Sequence, residues 1–314
     1  MIHTRFTEMF GLQHPVMCAP MAMHSGGTLA AAVSAAGGMG SFGGIHVSGG
    51  PDWVRAEVAR VRDRTDCPFA IGFITPFLSF AESQFQAALD ARPDAIALSF
   101  SDPGEWAHRV KDAGLRIICQ VQGFDDADVA VEVGADVLVA QGTEAGGHTG
   151  TMGLLPLLVG IAERYPEVTL LAAGGMSSGR ALAAALLAGA DGAWLGTAFL
   201  ATPEAIEVDD DYKAAIVGSD GGDTVFTRAY DIVSGLPWPT AIGARVRRDA
   251  FTDEWAEHEA DLRQHRDGVT PGPPRYIGQS ARFVDIIRPA AEVVRLVSEE
   301  AERLLRERPG LLLT

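Results

Sequence analysis

Val139-Ala140-Gln141-Gly142-Thr143-Glu144-Ala145-Gly146-Gly147-His148-Thr149-Gly150 is the stretch of this chain best suited to chemistry. An apolar run breaks into glycines, and a single histidine stands among them. A loop with so little side chain brings backbone amides against a flat or anionic ligand, and His148 is its only group that titrates near neutral pH. It is therefore a candidate general base or hydrogen-bond donor, although a histidine taken alone is more often structural. Glu144 reads first as a tether for the loop. Two further junctions add a second kind of chemistry. Thr169-Leu170-Leu171-Ala172-Ala173 runs into Gly174-Gly175-Met176, and Ser177-Ser178-Gly179-Arg180 then open a helix. Ala193-Trp194-Leu195 runs into Gly196-Thr197. Such junctions hold phosphate on backbone amides near a helix start. One alone could be an empty tight turn; two on successive strands favour phosphate. Gly37-Gly38-Met39-Gly40 follows a helix and not a first strand, so a dinucleotide held in the Rossmann manner is not expected.

Positioning these groups requires a scaffold, and the chain supplies a regular one. Strand-like segments fall near Pro15–Pro20, Gly40–Ile45, Phe69–Ile74, Ala95–Ser99, Arg116–Val121, Val137–Gln141, Thr169–Ala173 and Ala193–Gly196. Helix-like segments separate them, near Thr28–Ala36, Asp52–Arg64, Phe80–Ala91, Gly104–Ala113, Asp125–Val133, Leu154–Arg164 and Gly179–Leu187. Several end at a glycine (Gly37, Gly114, Gly134, Gly189), where a left-handed cap is cheap. Eight strands alternating with helices, several apolar on both faces, predict an α/β fold of the (β/α)8 TIM barrel type. Sites in such barrels lie at the C-terminal ends of the strands. On this register those ends gather Ala19-Pro20-Met21, Gly43-Gly44, Gly72, Ser99–Ser101, Gln120–Gln122, the histidine loop and the two glycine turns. His24, in the first strand–helix loop, could add a second ionisable group.

The alternation stops after Thr202. Residues 209–275 carry acidic clusters and Pro/Gly breaks, with one helix expected near Asp253–Gln264. This segment is expected to form a small subdomain covering the C-terminal face of the barrel, with Trp238 and Phe251 available to line a pocket. Residues 1–208 and 276–314 then form the barrel, closed by an amphipathic helix over Asp285–Arg306.

Composition bounds the partners. At 314 residues with 47% hydrophobic and 21% charged residues, the chain is globular and long enough to bury a large core. A net charge of −16 argues against nucleic acid or an anionic membrane as partner. Cys18, Cys67 and Cys119 have neither disulfide nor zinc spacing. With no apolar signal core or membrane-spanning run, a reducing cytoplasm is the expected location. The oligomeric state stays open, a homodimer included.

Four pieces, Pro15–Met21, Gln141–Gly150, Ala173–Met176 and Gly189–Thr202, resemble the nitronate monooxygenase family of FMN-dependent barrels. The likeness runs from about Phe6 to Thr202 and is weak beyond it. It implies FMN as cofactor and His148 as the catalytic base, or as a hydrogen-bond donor to a small alkyl nitronate that O2 then oxidises to a carbonyl compound and nitrite. It also implies FMN contacts from Gln141 by hydrogen bonding and from Gly146 by close backbone approach, with Gly147 beside it. Gly174, Gly175, Gly196 and Thr197 match its phosphate turns, and Ala19, Pro20, Met21, Gly72 and Leu195 stand at its other flavin-facing strand ends. Gln120 is placed to reach the flavin's pyrimidine edge. Two positions depart from the family: Gly72 stands where many members carry an asparagine, and Ser99-Phe100-Ser101-Asp102-Pro103 matches only in part. Two rival readings remain open, an NAD(P)H-dependent FMN reductase acting on a quinone or enoyl thioester, and a phosphate-binding barrel with no redox role.

Overall fold

The computed structural model describes residues 1–312; Leu313 and Thr314, the end of the expected second barrel segment, lie outside the described residues. Eight parallel strands form the barrel: β1 (Val16–Cys18), β2 (Gly40–Gly43), β3 (Phe69–Ile74), β4 (Ala95–Ser99), β5 (Arg116–Val121), β6 (Val137–Gln141), β8 (Thr169–Ala173) and β9 (Gly192–Leu195). A short strand, β7 (Gly147–Thr149), interrupts the count and belongs to a different sheet. Around the barrel the order is β1-β9-β8-β6-β5-β4-β3-β2. A bridge between Met17 and Met39 closes the ring, backed by Cys18 N–H donating to the Met39 carbonyl at 2.9 Å.

The eight strands are those the sequence predicts, trimmed at their ends. β1 covers Val16–Cys18 and not Pro15–Pro20, because the chain leaves the sheet where Pro20 has no N–H to give the ladder. The period-2 rule divides each strand's side chains. In β5, Ile117, Cys119 and Val121 face the surrounding helices while Ile118 packs in the barrel interior. The interior layer also contains Met17, Met39, Val137, Val139, Leu171 and Trp194. At the N-terminal face the short helix α1 (Arg5–Phe10) acts as a plug. Phe6 is fully buried in that interior cluster, and Arg5 pairs with Asp191 at 2.8 Å. The outer ring comprises α2 (Gly27–Ala35), α3 (Gly50–Arg62), α4 (Glu82–Ala91), α5 (Gly104–Asp112), α6 (Phe124–Glu132), α7 (Leu154–Arg164) and α8 (Gly179–Leu187). The four expected cap glycines, Gly37, Gly114, Gly134 and Gly189, all adopt positive φ.

After the four-residue helix α9 (Thr197–Leu200) the pattern changes. Helices α10 (Asp210–Val217) and α11 (Ala229–Ser234) alternate with β10 (Thr224–Thr227) and β11 (Gly243–Arg247). β11 pairs antiparallel with β10 on one side and with β7 on the other, placing Ala244 opposite His148. The histidine therefore sits in a strand and not in an open loop, because the later segment supplies a partner for it. The single helix expected over Asp253–Gln264 is two, α12 (Ala250–Trp255) and α13 (Glu259–His265). Phe251 packs against Tyr230 at 4.6 Å within this segment's own apolar clusters and does not line the cavity at the barrel mouth. The last helix, α14 (Ala290–Leu312), begins five residues later than expected. Pro289 disfavours helical geometry at Arg288, so Ile286 and Ile287 remain exposed ahead of the helix.

Candidate active site

One cavity of about 1150 Å³ opens at the C-terminal ends of the barrel strands. Every site residue expected from the sequence lines it: Ala19, Pro20, Met21, Gly72, Gln120 and Gln141, then Gly146, Gly147 and His148, and across the mouth Gly174, Gly175, Leu195, Gly196 and Thr197. Gly43, Gly44, Ser101 and Gln122 do not line it, although their strand ends point that way.

His148 is fixed from three directions. Its carbonyl accepts from Gln141 Nε2 at 3.0 Å, and its strand is held by β11. Its Nε2 lies 2.9 Å from Asp231 Oδ1, with both side chains nearly buried (12% and 11% exposed). The ring stacks on Trp238, centroids 3.6 Å apart and planes 11° from parallel. With Nε2–H assigned to Asp231, Nδ1 is the nitrogen left to accept a proton, since it has no protein hydrogen bond among the described residues. A carboxylate that orients one imidazole nitrogen so that the other can act as a base is a recurring catalytic arrangement. Asp231 Oδ2 and Trp238 Nε1 are buried beside the histidine without hydrogen-bond partners among the described residues. Asp231 escaped the sequence reading, because it comes from the segment without periodicity and no short motif frames it; Tyr276, whose ring centroid lies 5.9 Å from that of His148, follows directly on that segment and is framed by no motif either.

The glutamines divide the work. Gln122 Nε2 donates to Gln141 Oε1 at 2.9 Å, so the Gln141 amide is engaged at both ends by protein groups. Gln120, facing inward at the end of β5, makes no protein hydrogen bond among the described residues and is free to meet a ligand. Glu144 tethers the loop, both carboxylate oxygens accepting from Leu154 N–H at 3.1 Å at the start of α7. His24 lines the cavity, with Nδ1 2.9 Å from the Ala22 carbonyl and its ring edge-on to Tyr212 and Tyr276.

The two glycine turns present bare backbone to the cavity. Gly174 and Gly175 have φ of 90° and 76°, a conformation that L side chains rarely adopt. A Cβ on Gly175 would stand in nearly open cavity, 3.9 Å from the nearest atom. The Ser177 and Ser280 hydroxyls are bonded to each other at 2.7 Å, and Thr197 Oγ1 accepts from Gly278 N–H. Part of the α8 start is already used, since Gly179 N–H donates to Glu300 and Ala181 N–H to Ser178. An anion would therefore meet the amides of the preceding turn.

The family model for nitronate monooxygenases matches residues 3–88 and 78–238. A nitronate monooxygenase from Neurospora crassa is 30% identical over 93% of this chain and 90% of its own length, and one from Pseudomonas aeruginosa is 31% identical over 71% and 76%. This chain belongs to the nitronate monooxygenase family. Members are flavin-dependent oxidoreductases. Among solved structures, FabK from Thermotoga maritima is similar with a TM-score of 0.85 and 28% identity over 99% of this chain and all of its own. A nitroalkane oxidase from Streptomyces ansochromogenes gives 0.79 and 26% over 98% and 99%. Gly72, one of the two departures from the family, has no room for a side chain. A Cβ there would meet Pro20 Cγ at 2.2 Å, so the inward position at the end of β3 is already filled by the proline of β1's exit. At the other departure, Phe100 adopts φ 77° and lies edge-on to Trp238 at 5.3 Å.

Proposed function

We propose that this protein is an FMN-dependent nitronate monooxygenase that converts alkyl nitronates, with O2, to a carbonyl compound and nitrite. The observation that carries the proposal is the oriented His148–Asp231 pair, placed in the same cavity as two glycine turns suited to a phosphate. Gly174, Gly175, Gly196 and Thr197 would hold the FMN phosphate on amides and a hydroxyl. Gln120 would face the isoalloxazine, with Ala19, Pro20, Met21 and Leu195 lining its bed. Gly146 gains its importance indirectly: a Cβ there would meet Gly278 N at 2.5 Å, so its bareness lets the loop pack down on that segment. Bound flavin supplies the electron-accepting chemistry and the reaction with oxygen.

The chain's own residues bind, orient and move protons. His148 Nδ1 takes the α-proton of a neutral nitroalkane, and the resulting imidazolium is stabilised by Asp231. A preformed nitronate would be met by the ring as the imidazolium, donating from Nδ1 while Nε2–H stays on Asp231, with the Trp238 indole stacked beside it. We take residues 209–275 as a cover over this face. β11 holds the histidine strand, and Tyr230, Asp231, Trp238 and Pro271–Pro274 line the cavity. A cytoplasmic location fits three cysteines that are all free.

The reductase reading draws support from the likeness to FabK. Its nicotinamide dinucleotide would bring a further charged diphosphate, and no Lys or Arg is among the described lining residues. Side-by-side turnover of alkyl nitronates in air and of NADH under argon tests the proposal. It stands if nitronate oxidation dominates, and it falls if NADH rapidly bleaches the flavin while nitronates are inert. A colourless protein that FMN cannot reconstitute would overturn both.

A further inference from the structure

Strand order places the two glycine turns, on β8 and β9, directly across the barrel from β3 and β4. The wall there has a different chemistry. Ile45, Ile74 and Phe77 line the cavity behind Phe100 and Trp238, and Phe77 meets Trp238 edge-on at 4.9 Å. Farther out the same cavity is rimmed by Met23, Val47, Phe80 and Leu236, which are 41%, 87%, 81% and 53% exposed. Single exposed apolar side chains are ordinary, but four converging on one mouth from separate loops mark a ligand-binding surface. Charge points the same way. The cavity's charged lining side chains are the carboxylates Glu144 and Asp231, the other ionisable groups are three histidines (His24, His46, His148) and three tyrosines (Tyr212, Tyr230, Tyr276), and the described lining includes no Lys or Arg.

We propose that this wall is a channel for the substrate's tail, so that the enzyme selects nitronates with a long, uncharged alkyl chain and rejects those carrying a carboxylate. The inference rests on the nitronate reading above and deepens it. An alkyl tail running from His148 past Trp238 and Phe77 to the rim buries apolar surface along its length. A carboxylate on that tail would lose its water, find no cation, and face the field of two carboxylates.

The test uses holoenzyme and the nitronates of nitroethane, 1-nitrobutane and 1-nitrohexane beside propionate 3-nitronate. Oxygen consumption gives kcat/KM, and anaerobic titration read by flavin or tryptophan fluorescence gives Kd. We expect kcat/KM to rise about twofold to fourfold per added methylene, Kd to fall in parallel, and propionate 3-nitronate to be the poorest of the four by about tenfold or more. A flat series in both measurements, or propionate 3-nitronate as the best ligand, overturns the channel. If no nitronate is oxidised, the functional reading fails, and the Kd series still decides the channel by the same criteria. Phe80→Lys and Val47→Lys, both at exposed positions, should each lower the hexyl-to-ethyl ratio severalfold and improve propionate 3-nitronate. Unchanged ratios in both folded variants would also overturn it.

Discussion

Within the site, His148 and Asp231 form a pair whose two members should fail differently. His148→Asn should keep the fold and the flavin, because on the proposed reading the glycine turns and not the imidazole hold the cofactor. Turnover of neutral nitroalkanes needs a proton removed and should fall by about two to four orders of magnitude. Turnover of preformed nitronates should fall less, by the worth of one charge-assisted hydrogen bond, about 1.5–3 kcal/mol. Equal losses on both substrate forms would reduce the histidine to an anion binder. Asp231→Asn keeps a hydrogen-bonding group beside Nε2 but removes the charge that compensates the imidazolium. It should cost neutral nitroalkanes about a hundredfold to ten-thousandfold, since the same exchange at the carboxylate orienting a triad histidine costs about 10⁴, and cost nitronates less. Gly175→Asp tests the opposite end of the cavity. It puts a carboxylate and a β-carbon at a backbone angle of +76° where the phosphate is expected, so the purified variant should carry little or no flavin by absorbance.

The secondary-structure elements explain how those residues come to face one another and how far this was readable beforehand. The barrel strands and their helices were legible because each is an apolar run cut by glycine or proline, and the fold repeats that unit. The strand ends then followed, and with them the gathering of the expected residues around one cavity. β7 was not legible: Gly147-His148-Thr149 has no strand character of its own and becomes a strand only by pairing with Gly243–Arg247, about a hundred residues later. Asp231 was invisible for the same reason, since a contact of long sequence separation inside an aperiodic segment leaves no local trace. Gly72 is the instructive middle case. Its identity was plain, but its cause, the ring of Pro20 filling the space, lies on another strand. Gly72→Asn should therefore not restore a family-like flavin contact. It should overpack the β1–β3 junction and cost about 1–3 kcal/mol, seen as a lower Tm with no gain in flavin retention. A variant as stable as the parent with tighter flavin would show that Pro20 yields easily.

Taken as a whole, the molecule separates a sealed end from a working end. Helix α1 plugs the N-terminal face while the C-terminal face opens into the cavity. The thiols report on this division. Cys18 and Cys119 are buried among the strands, and desolvation pushes Cys119 up to about 12 and Cys18 higher still, whereas Cys67 is exposed. In native protein a thiol reagent should titrate one cysteine promptly, and in denaturant all three; rapid titration of more than one in the native state would mean that the barrel wall opens readily.

The pairing of β11 with β7 bears on how such an enzyme can be altered. Because His148 borrows its strand partner and its carboxylate from residues 209–275, that segment cannot be exchanged without disturbing the histidine. A chimera that imports a relative's cover also imports a new rung beneath the histidine and a new occupant of position 231. On the proposed reading such an exchange would move specificity and basicity together, and an engineer who wants one without the other should alter the rim side chains and leave the ladder intact.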